Sequence, residues 1–205
     1  MVLFFVATNP FEPQKERRTH EKQLINYETL TRIAAAISAT RDPQEILLMT
    51  VEGVKSALDV KGCTVFLINR QTDELEIAGS YGLSQEYLDK GPISALASIA
   101  ASFKEGPVAI YDVADDPRIQ YPEAAIKEGI VSILSVPISV HGRVIGALRV
   151  YTSEPWEVIL EDVNFVQAVA QITGMAIDLC RLNKGYKSSI EVLKTMRDPK
   201  FLKAV

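Results

Sequence analysis

The chain has 205 residues, 47% hydrophobic and 7% aromatic, enough for one well-buried core, since about 150 residues already bury roughly 68–70% of their unfolded surface. Its charged fraction is 23% and its net charge −4, so it lacks the basic excess that drives binding to nucleic acid or anionic membrane. The cysteines, Cys63 and Cys180, lie far apart without a CxxC or Cys/His pairing, which leaves neither a disulfide framework nor a zinc site and fits a reducing, cytoplasmic compartment.

The opening run Met1 to Ala7 is apolar, but it is far shorter than a membrane span, has no basic segment ahead of it and meets Pro10 and Pro13 at once. Residues 1–20 therefore read as a disordered or partner-docked tail and not as a signal peptide, with weak membrane contact as the sharper alternative. From Glu21 to Ala39, Leu24, Tyr27, Leu30, Ile33 and Ile37 recur at three- and four-residue steps, the stripe of an amphipathic helix. Asp42-Pro43-Gln44-Glu45 reads as a second helix start, with Asp as N-cap and Pro at the first helical position. That helix should run to about Val60 with Ile46, Leu47, Val51, Val54 and Leu58 inward.

Gly62–Ile68 and Leu75–Tyr81 are strand-like runs joined by polar Asn69 to Asp73, which predicts a hairpin. Ser94–Lys104 carries Leu96, Ile99 and Phe103 at helical spacing before Gly106-Pro107 ends it, a short helix over the sheet. Val108–Val113 reads as a third strand, followed by Asp115-Asp116-Pro117 and a short helix around Pro122–Glu128. Val131–Val140 and Arg143–Thr152 are separated only by His141-Gly142, the clearest hairpin in the chain. From Leu160 onward Val163, Val166, Val169, Ala170, Thr173, Ala176, Ile177 and Cys180 recur at helical spacing. Tyr186, Ile190, Leu193 and Met196 extend that stripe past Gly185, making the last helix longer than one core needs. Hairpins with helices before, between and after them predict an α+β class with an antiparallel sheet and no internal domain boundary.

Gly79-Ser80-Tyr81-Gly82-Leu83, Asp112-Val113, Asp116-Pro117-Arg118, Tyr121-Pro122, Glu128-Gly129-Ile130, Ser132 to Pro137, Gly142, Ile145-Gly146-Ala147-Leu148, Tyr151, and then Asp162, Phe165 and Ala170 follow one another along the chain. In their order and spacing they resemble the GAF family of ligand-sensing domains, over about residues 40–182. The resemblance implies a six-stranded antiparallel sheet with helices on both faces, the long N- and C-terminal helices packed together on one face and a ligand pocket on the other. Five strands are visible; the sixth is expected in a segment that reads as loop. Residues 21–39 become a signalling and dimerisation helix, and 183–205 a C-terminal helical extension. Independently of the resemblance, Gly146 within a strand permits a bulge or a close backbone approach, and Pro137 demands an edge or a bulge because it cannot donate to the ladder.

The residues offer little for catalysis. His20 lies in a charged stretch and His141 in a two-residue turn. Cys63 sits in a strand and Cys180 on the last helix, where a small thiol packs as core. Some GAF relatives reduce free methionine sulfoxide with pocket cysteines and others attach a bilin to a cysteine, but the Asp112–Gly129 lid contains none. Neither a glycine-rich phosphate loop nor the spaced Asn-Lys, Phe, Asp-Glu signature of cyclic-nucleotide-binding relatives can be placed. No bilin, haem or metal site is indicated, and the cofactor is unknown. Arg118 has the planar fork for an acidic ligand group, although local pairing with Asp115, Asp116 or Glu123 is the stronger expectation. Tyr81, Asp112, Tyr121 and Ser132, with Leu134 beside them, are the other ligand-site candidates. The basic tail from Arg181 to Lys203 reads as a solvated helix face.

The resulting expectation is a non-enzymatic, cytoplasmic, small-ligand-sensing regulatory module of a signal-transduction system. It would work as a homodimer through Leu24, Leu30, Ile33, Ile37, Val166, Val169, Thr173 and Ile177, with a separate or fused output domain as partner and neither nucleic acid nor a membrane span. The alternatives are a reductase of the free methionine sulfoxide type, which requires Cys63 to face the pocket, and a ligand-free dimerisation scaffold.

Overall fold

The computed structural model describes residues 14–40, 42–94 and 106–196, with side chains described over 26–40, 42–94 and 106–183. The apolar heptapeptide, the Ser94–Lys104 helix beyond Ser94, the side chain of Leu24 and the tail's basic groups from Lys184 onward lie outside those residues.

Helix α1 (Gln14–Ala39) begins ahead of Glu21, because the stretch after Pro13 is rich in Gln, Lys, Glu and Arg, all good helix formers. Helix α2 (Pro43–Leu58) starts as its sequence predicts: the Asp42 carboxylate accepts from the Gln44 amide at 2.9 Å, and Pro43 opens the first turn. It stops short of Val60 because Asp59 turns left-handed (φ 51).

Six strands follow, all paired antiparallel: β1 (Gly62–Asn69), β2 (Glu74–Tyr81), β3 (Ile93–Ser94), β4 (Val108–Ile110), β5 (Ser132–Val140) and β6 (Arg143–Thr152), in the spatial order β3-β2-β1-β6-β5-β4. Among the described residues two short helices, α3 (Gln85–Leu88) and α4 (Pro122–Lys127), interrupt them, and α5 (Leu160–Met196) is the last element. The sixth strand is β3, which takes Ser94 out of the expected helix. Strand β4 ends at Ile110 instead of Val113, because the Asp112 carboxylate accepts from the Ala114 amide and the Asp112 carbonyl from Asp116, which turns the chain. In the β5–β6 hairpin both His141 (φ 51) and Gly142 (φ 72) are left-handed, the pair of conformations a two-residue turn needs.

The pleat divides the sheet into two faces. Cys63 and Val65 of β1, Leu148 and Val150 of β6 and Leu134 and Val136 of β5 form the main core with Leu47, Val51 and Val54 of α2 and Phe165, Val166, Val169 and Ala170 of α5. Helix α1 packs on this layer, with Ile33 against Gly53 and Ile37 against Ile46, Ala176 and Cys180. Leu160–Asn183 is apolar and long enough to cross a membrane, yet half of its apolar stretch is buried inside the protein. On the opposite face Tyr87 of α3, Ala125 of α4, Ile110, Val113 and Ile130 pack against Ile133 and Tyr151, while Phe66, Leu75, Ile93 and Ala147 form a neighbouring cluster.

Gly146 allows β6 to approach β1: a Cβ there would lie 2.0 Å from the Phe66 carbonyl oxygen. A register shift between Ile138 and Ser139 adjoins it across the β5–β6 ladder. Pro137 lies beyond Ser135, the last β5 residue that β4 reaches, so among the described residues it has no β4 partner that would need its missing N–H. Gly146→Ala should destabilise the fold by about 3 kcal/mol, because backbone and not a flexible side chain must give way; urea denaturation of the two proteins measures this.

Candidate functional site

The face of the sheet away from α1, α2 and α5 carries a polar row. Register places Ser80, Thr64, Arg149 and Ser135 side by side across β2, β1, β6 and β5, and cross-strand partners share a face. Tyr151 follows Arg149 two residues on, and Phe66 flanks the row on the other side. Arg149 is 8% exposed, and its guanidinium lies 5.3 Å from the Phe66 ring centre. The Ser135 hydroxyl is buried without a hydrogen-bond partner among the described residues. The Tyr151 hydroxyl lies beside Thr64 and Arg149 but makes no well-formed hydrogen bond, and burial pushes it up to about 12.

Helix α3 brings two further groups to this face. Tyr87 meets Tyr151 edge to face, ring centres 6.0 Å apart, and burial pushes its hydroxyl well above the usual range. Lys90 places its ammonium 3.7 Å from the Tyr87 ring centre and donates to the Tyr87 carbonyl at 3.0 Å. Burial first, and then the Arg149 charge, pull Lys90 down to about 8, with Glu128 opposing. A cleft of about 450 Å³ opens here, lined by Ser84, Tyr87, Lys90, Ala124 and Glu128 among others.

The cleft's walls are tied to one another. Glu128, the C-cap of α4, accepts from the Ser84 amide at 3.0 Å and from the Ser84 hydroxyl, and Lys61 stands 3.7 Å away. Burial opposes ionisation of Glu128, but the Ser84 donors and Lys61 outweigh it and hold the carboxylate below its usual value. Lys127 pairs with Glu86, and the Tyr121 hydroxyl donates to the Pro92 carbonyl at 2.8 Å. The Asp112–Gly129 segment is thereby latched to the segment that carries Tyr87 and Lys90.

The residues singled out by sequence scatter relative to this site. Arg118 makes the expected local pair with Asp116 and donates to the Ala109 carbonyl at 3.3 Å. Asp112 caps its own turn, and Tyr121 serves as the latch. Ser132 donates to the Tyr111 carbonyl and accepts from the Trp156 amide, while Leu134 is fully buried beneath the helices. Tyr81 aligns with Cys63 and so belongs to the helix side, where it lines a separate cleft of about 220 Å³ with Thr29, Arg32 and Met49. The dimer candidates Ile33, Val166, Val169, Thr173 and Ile177 are spent on this chain's own core, with Leu30 and Ile37 packed partly against it. Arg149, Lys90, Tyr87, Thr64, Ser135 and Tyr151 were missed. A charged residue inside the apolar run Val144 to Tyr151 was the one signal in the sequence that pointed to them.

A family model for the GAF domain matches residues 40–178. The chain belongs to the GAF domain family. The GAF domain of a phosphoenolpyruvate-protein phosphotransferase from Coxiella burnetii superposes with a TM-score of 0.70 at 19% identity, covering 80% of this chain and 98% of that one. The free methionine-R-sulfoxide reductase from Neisseria meningitidis gives 0.67 at 22% identity, covering 79% and 93%. Residues 122 to 287 of a methyl-accepting chemotaxis protein give 0.62 at 20% identity, covering 74% and 98%. No curated protein sequence matches the chain. At these identities the likeness is one of fold.

Cys63 of this GAF domain aligns with Val150 and lies fully buried in the helix-side core, so it does not share the face that carries Arg149. Burial pushes its thiol far above the usual range, and a hydrogen bond with the Thr64 backbone offsets this only in part. A thiol-modifying disulfide reagent at pH 8 should therefore label Cys63 only after denaturation. Lys90 supplies a second check, because its folded value of about 8 lies below its ordinary 10.5. Between those values the unfolded chain holds a proton that the folded chain has released, so folding is increasingly favoured as pH rises across that window. The stability of the wild type relative to Lys90→Met should grow from pH 8 to 10.5 in denaturant titrations.

Proposed function

We propose that this chain is a small-ligand-sensing regulatory GAF module of a signal-transduction system, which binds its ligand on the sheet face opposite the helices and does not catalyse a reaction. The observation that carries the reading is the row Thr64, Arg149 and Ser135, a buried polar strip across an otherwise apolar sheet face beside an open cleft. A structural role alone would be met more cheaply by apolar residues, as Ala147 and Ile133 do on the same face. Family membership and a chemotaxis-protein neighbour of the same fold support the regulatory role. The burial of Cys63 on the far side supports a non-enzymatic one.

The signal leaves through the helices. Strands β1 and β6 carry Thr64 and Arg149 on one face and Cys63, Leu148 and Val150 on the other, so α2 and α5 rest on the back of the ligand site. Helix α5 exposes Met175, Leu179 and Leu182 at 54%, 55% and 51%, spaced as one face. A second copy of the chain covers this stripe in the proposed homodimer, which passes ligand state to a separate or fused output domain in the cytoplasm.

Native mass spectrometry of freshly purified protein tests both halves. A dimer carrying additional small-molecule mass is expected, with Leu179→Glu shifting it to monomer. A ligand-free wild-type monomer would remove the sensing dimer. Turnover of free methionine sulfoxide by the purified chain would replace this reading with an enzymatic one.

A further inference from the structure

Strands β3 and β4 are the two edges of the described sheet, with β2, β1, β6 and β5 between them, so in a flat sheet they would stand about 24 Å apart. Residues 118–121 nevertheless reach both. Arg118 donates to the Ala109 carbonyl of β4 at 3.3 Å, and Ile119 packs on the cluster that holds Val108 and Ile110. Gln120 accepts from the Ser94 amide of β3 at 3.1 Å. Tyr121 packs on the cluster that holds Leu75 and Ile93, while its hydroxyl donates to the Pro92 carbonyl at 2.8 Å. Each edge thus receives a polar and an apolar contact from the same short segment. Four residues span at most about 14 Å even when extended, so the twist of the sheet and the outward side chains supply the rest.

The segment is constructed to keep its shape. Pro117 and Pro122 fix φ at its two ends. The Asp116 carboxylate accepts from the Arg118 amide at 2.9 Å and from its guanidinium, and the Asp116 carbonyl accepts from the Ile119 amide at 3.1 Å. The Arg118 side-chain bond outweighs burial and holds the Asp116 carboxyl below its usual range, so this turn keeps its charged partner at neutral pH. After Tyr121 the chain passes directly into α4, where the Tyr121 carbonyl accepts from the Ala125 amide. On the β3 side Gly91 leaves room: its φ is 126, and a Cβ there would lie 2.9 Å from the Tyr121 hydroxyl oxygen.

We propose that residues 116–121 are a clasp, a conformational device that ties the β3 edge to the β4 edge and opens as one body, so that releasing either end frees both edges. The inference goes beyond ligand sensing and stands without it. A stiff segment cannot leave β3 while keeping its place on β4, because the two sets of contacts share one short backbone; a flexible loop would let the ends open separately. Closed, the clasp also occupies a carbonyl and an amide of the edge strands, the kind of group through which a sheet recruits a further strand.

The test is hydrogen–deuterium exchange of the full chain, read at single amides by NMR. Tyr121→Phe removes the hydroxyl bonded to Pro92, and Gln120→Ala removes the acceptor of the Ser94 amide; both changes lie at the β3 end. Each should raise exchange about fivefold at Ser94, the effect of one lost hydrogen bond, and by a similar factor at Val108, Ala109 and Ile110. Val65 and Leu148, on the central strands β1 and β6, should keep the wild-type rate. Arg118→Met, a change at the β4 end, should speed exchange at Ser94 in turn. Unchanged exchange at Val108, Ala109 and Ile110 in both β3-end variants, whether or not Ser94 responds, makes the two ends independent and overturns the proposal. A uniform rise that includes Val65 and Leu148 reports global unfolding and overturns it as well. Circular dichroism confirms that each variant is folded; Tyr121→Phe, which loses a single oxygen, carries the test should another variant fail to fold.

Discussion

Strand β6 lies in the middle of the sheet with neighbours on both sides, and helices or loops cover both of its faces, so each of its residues from Ile145 to Thr152 is buried. A strand buried on both faces has no solvent side on which to place a polar residue, and Arg149 is therefore forced into the interior by the pleat itself. Everything specific to this domain is arranged around that constraint. Phe66 offers its ring face to the guanidinium, Thr64 and Ser135 flank it in register, and Tyr151 continues the strip towards α3. On the helix side of the same strand Leu148 and Val150 lie in the apolar core.

The close approach of β6 to β1 makes this possible. At Gly146 the strands come so near that no side chain fits, and the neighbouring shift in the β5–β6 ladder absorbs the resulting bend. The apolar cores on the two faces are thereby separated by one layer of backbone. A perturbation at Arg149 has only the thickness of the sheet to cross before it meets residues that pack against α2 and α5. A buried polar contact on the helix side, Thr50 with Thr173 at 3.3 Å, joins those two helices to each other.

The opposite wall is held by electrostatics and hydrogen bonds more than by packing. Glu128 with Ser84 and Lys61, Lys127 with Glu86, and Tyr121 with Pro92 fix α3 and α4 to each other and to the β3 approach. Exposed pairs of this kind contribute little to global stability, but here they set where Tyr87 and Lys90 stand relative to the sheet. Residues such as Tyr121 that read as ligand contacts therefore act on the site through the geometry they impose.

The fold class, the position of both hairpins, the capped start of α2 and the family are legible in the amino-acid order, because each rests on short-range signals: period-two and period-3.6 patterning, an Asp-Pro cap, a His-Gly turn and an ordered string of motifs. That order also carried the reasons for Gly146 and Pro137, since what a missing Cβ or a missing N–H permits is local chemistry. Strand β3 was illegible because two residues hold too little pattern, and their pairing with Glu74 and Leu75 is set by the chain between them and not by their own composition. The membership of the candidate face was legible only once the strands were paired. Whether Tyr81 and Cys63 face the helices and Thr64 and Arg149 the opposite side of the sheet depends on strand register, and a one-residue slip would exchange them. Likewise the stripes at Ile33, Val166 and Ile177 carry the same periodicity whether they meet another copy or this chain's own core; here Ile33 packs on α2, and Val166 and Ile177 join the core between the helices and the sheet.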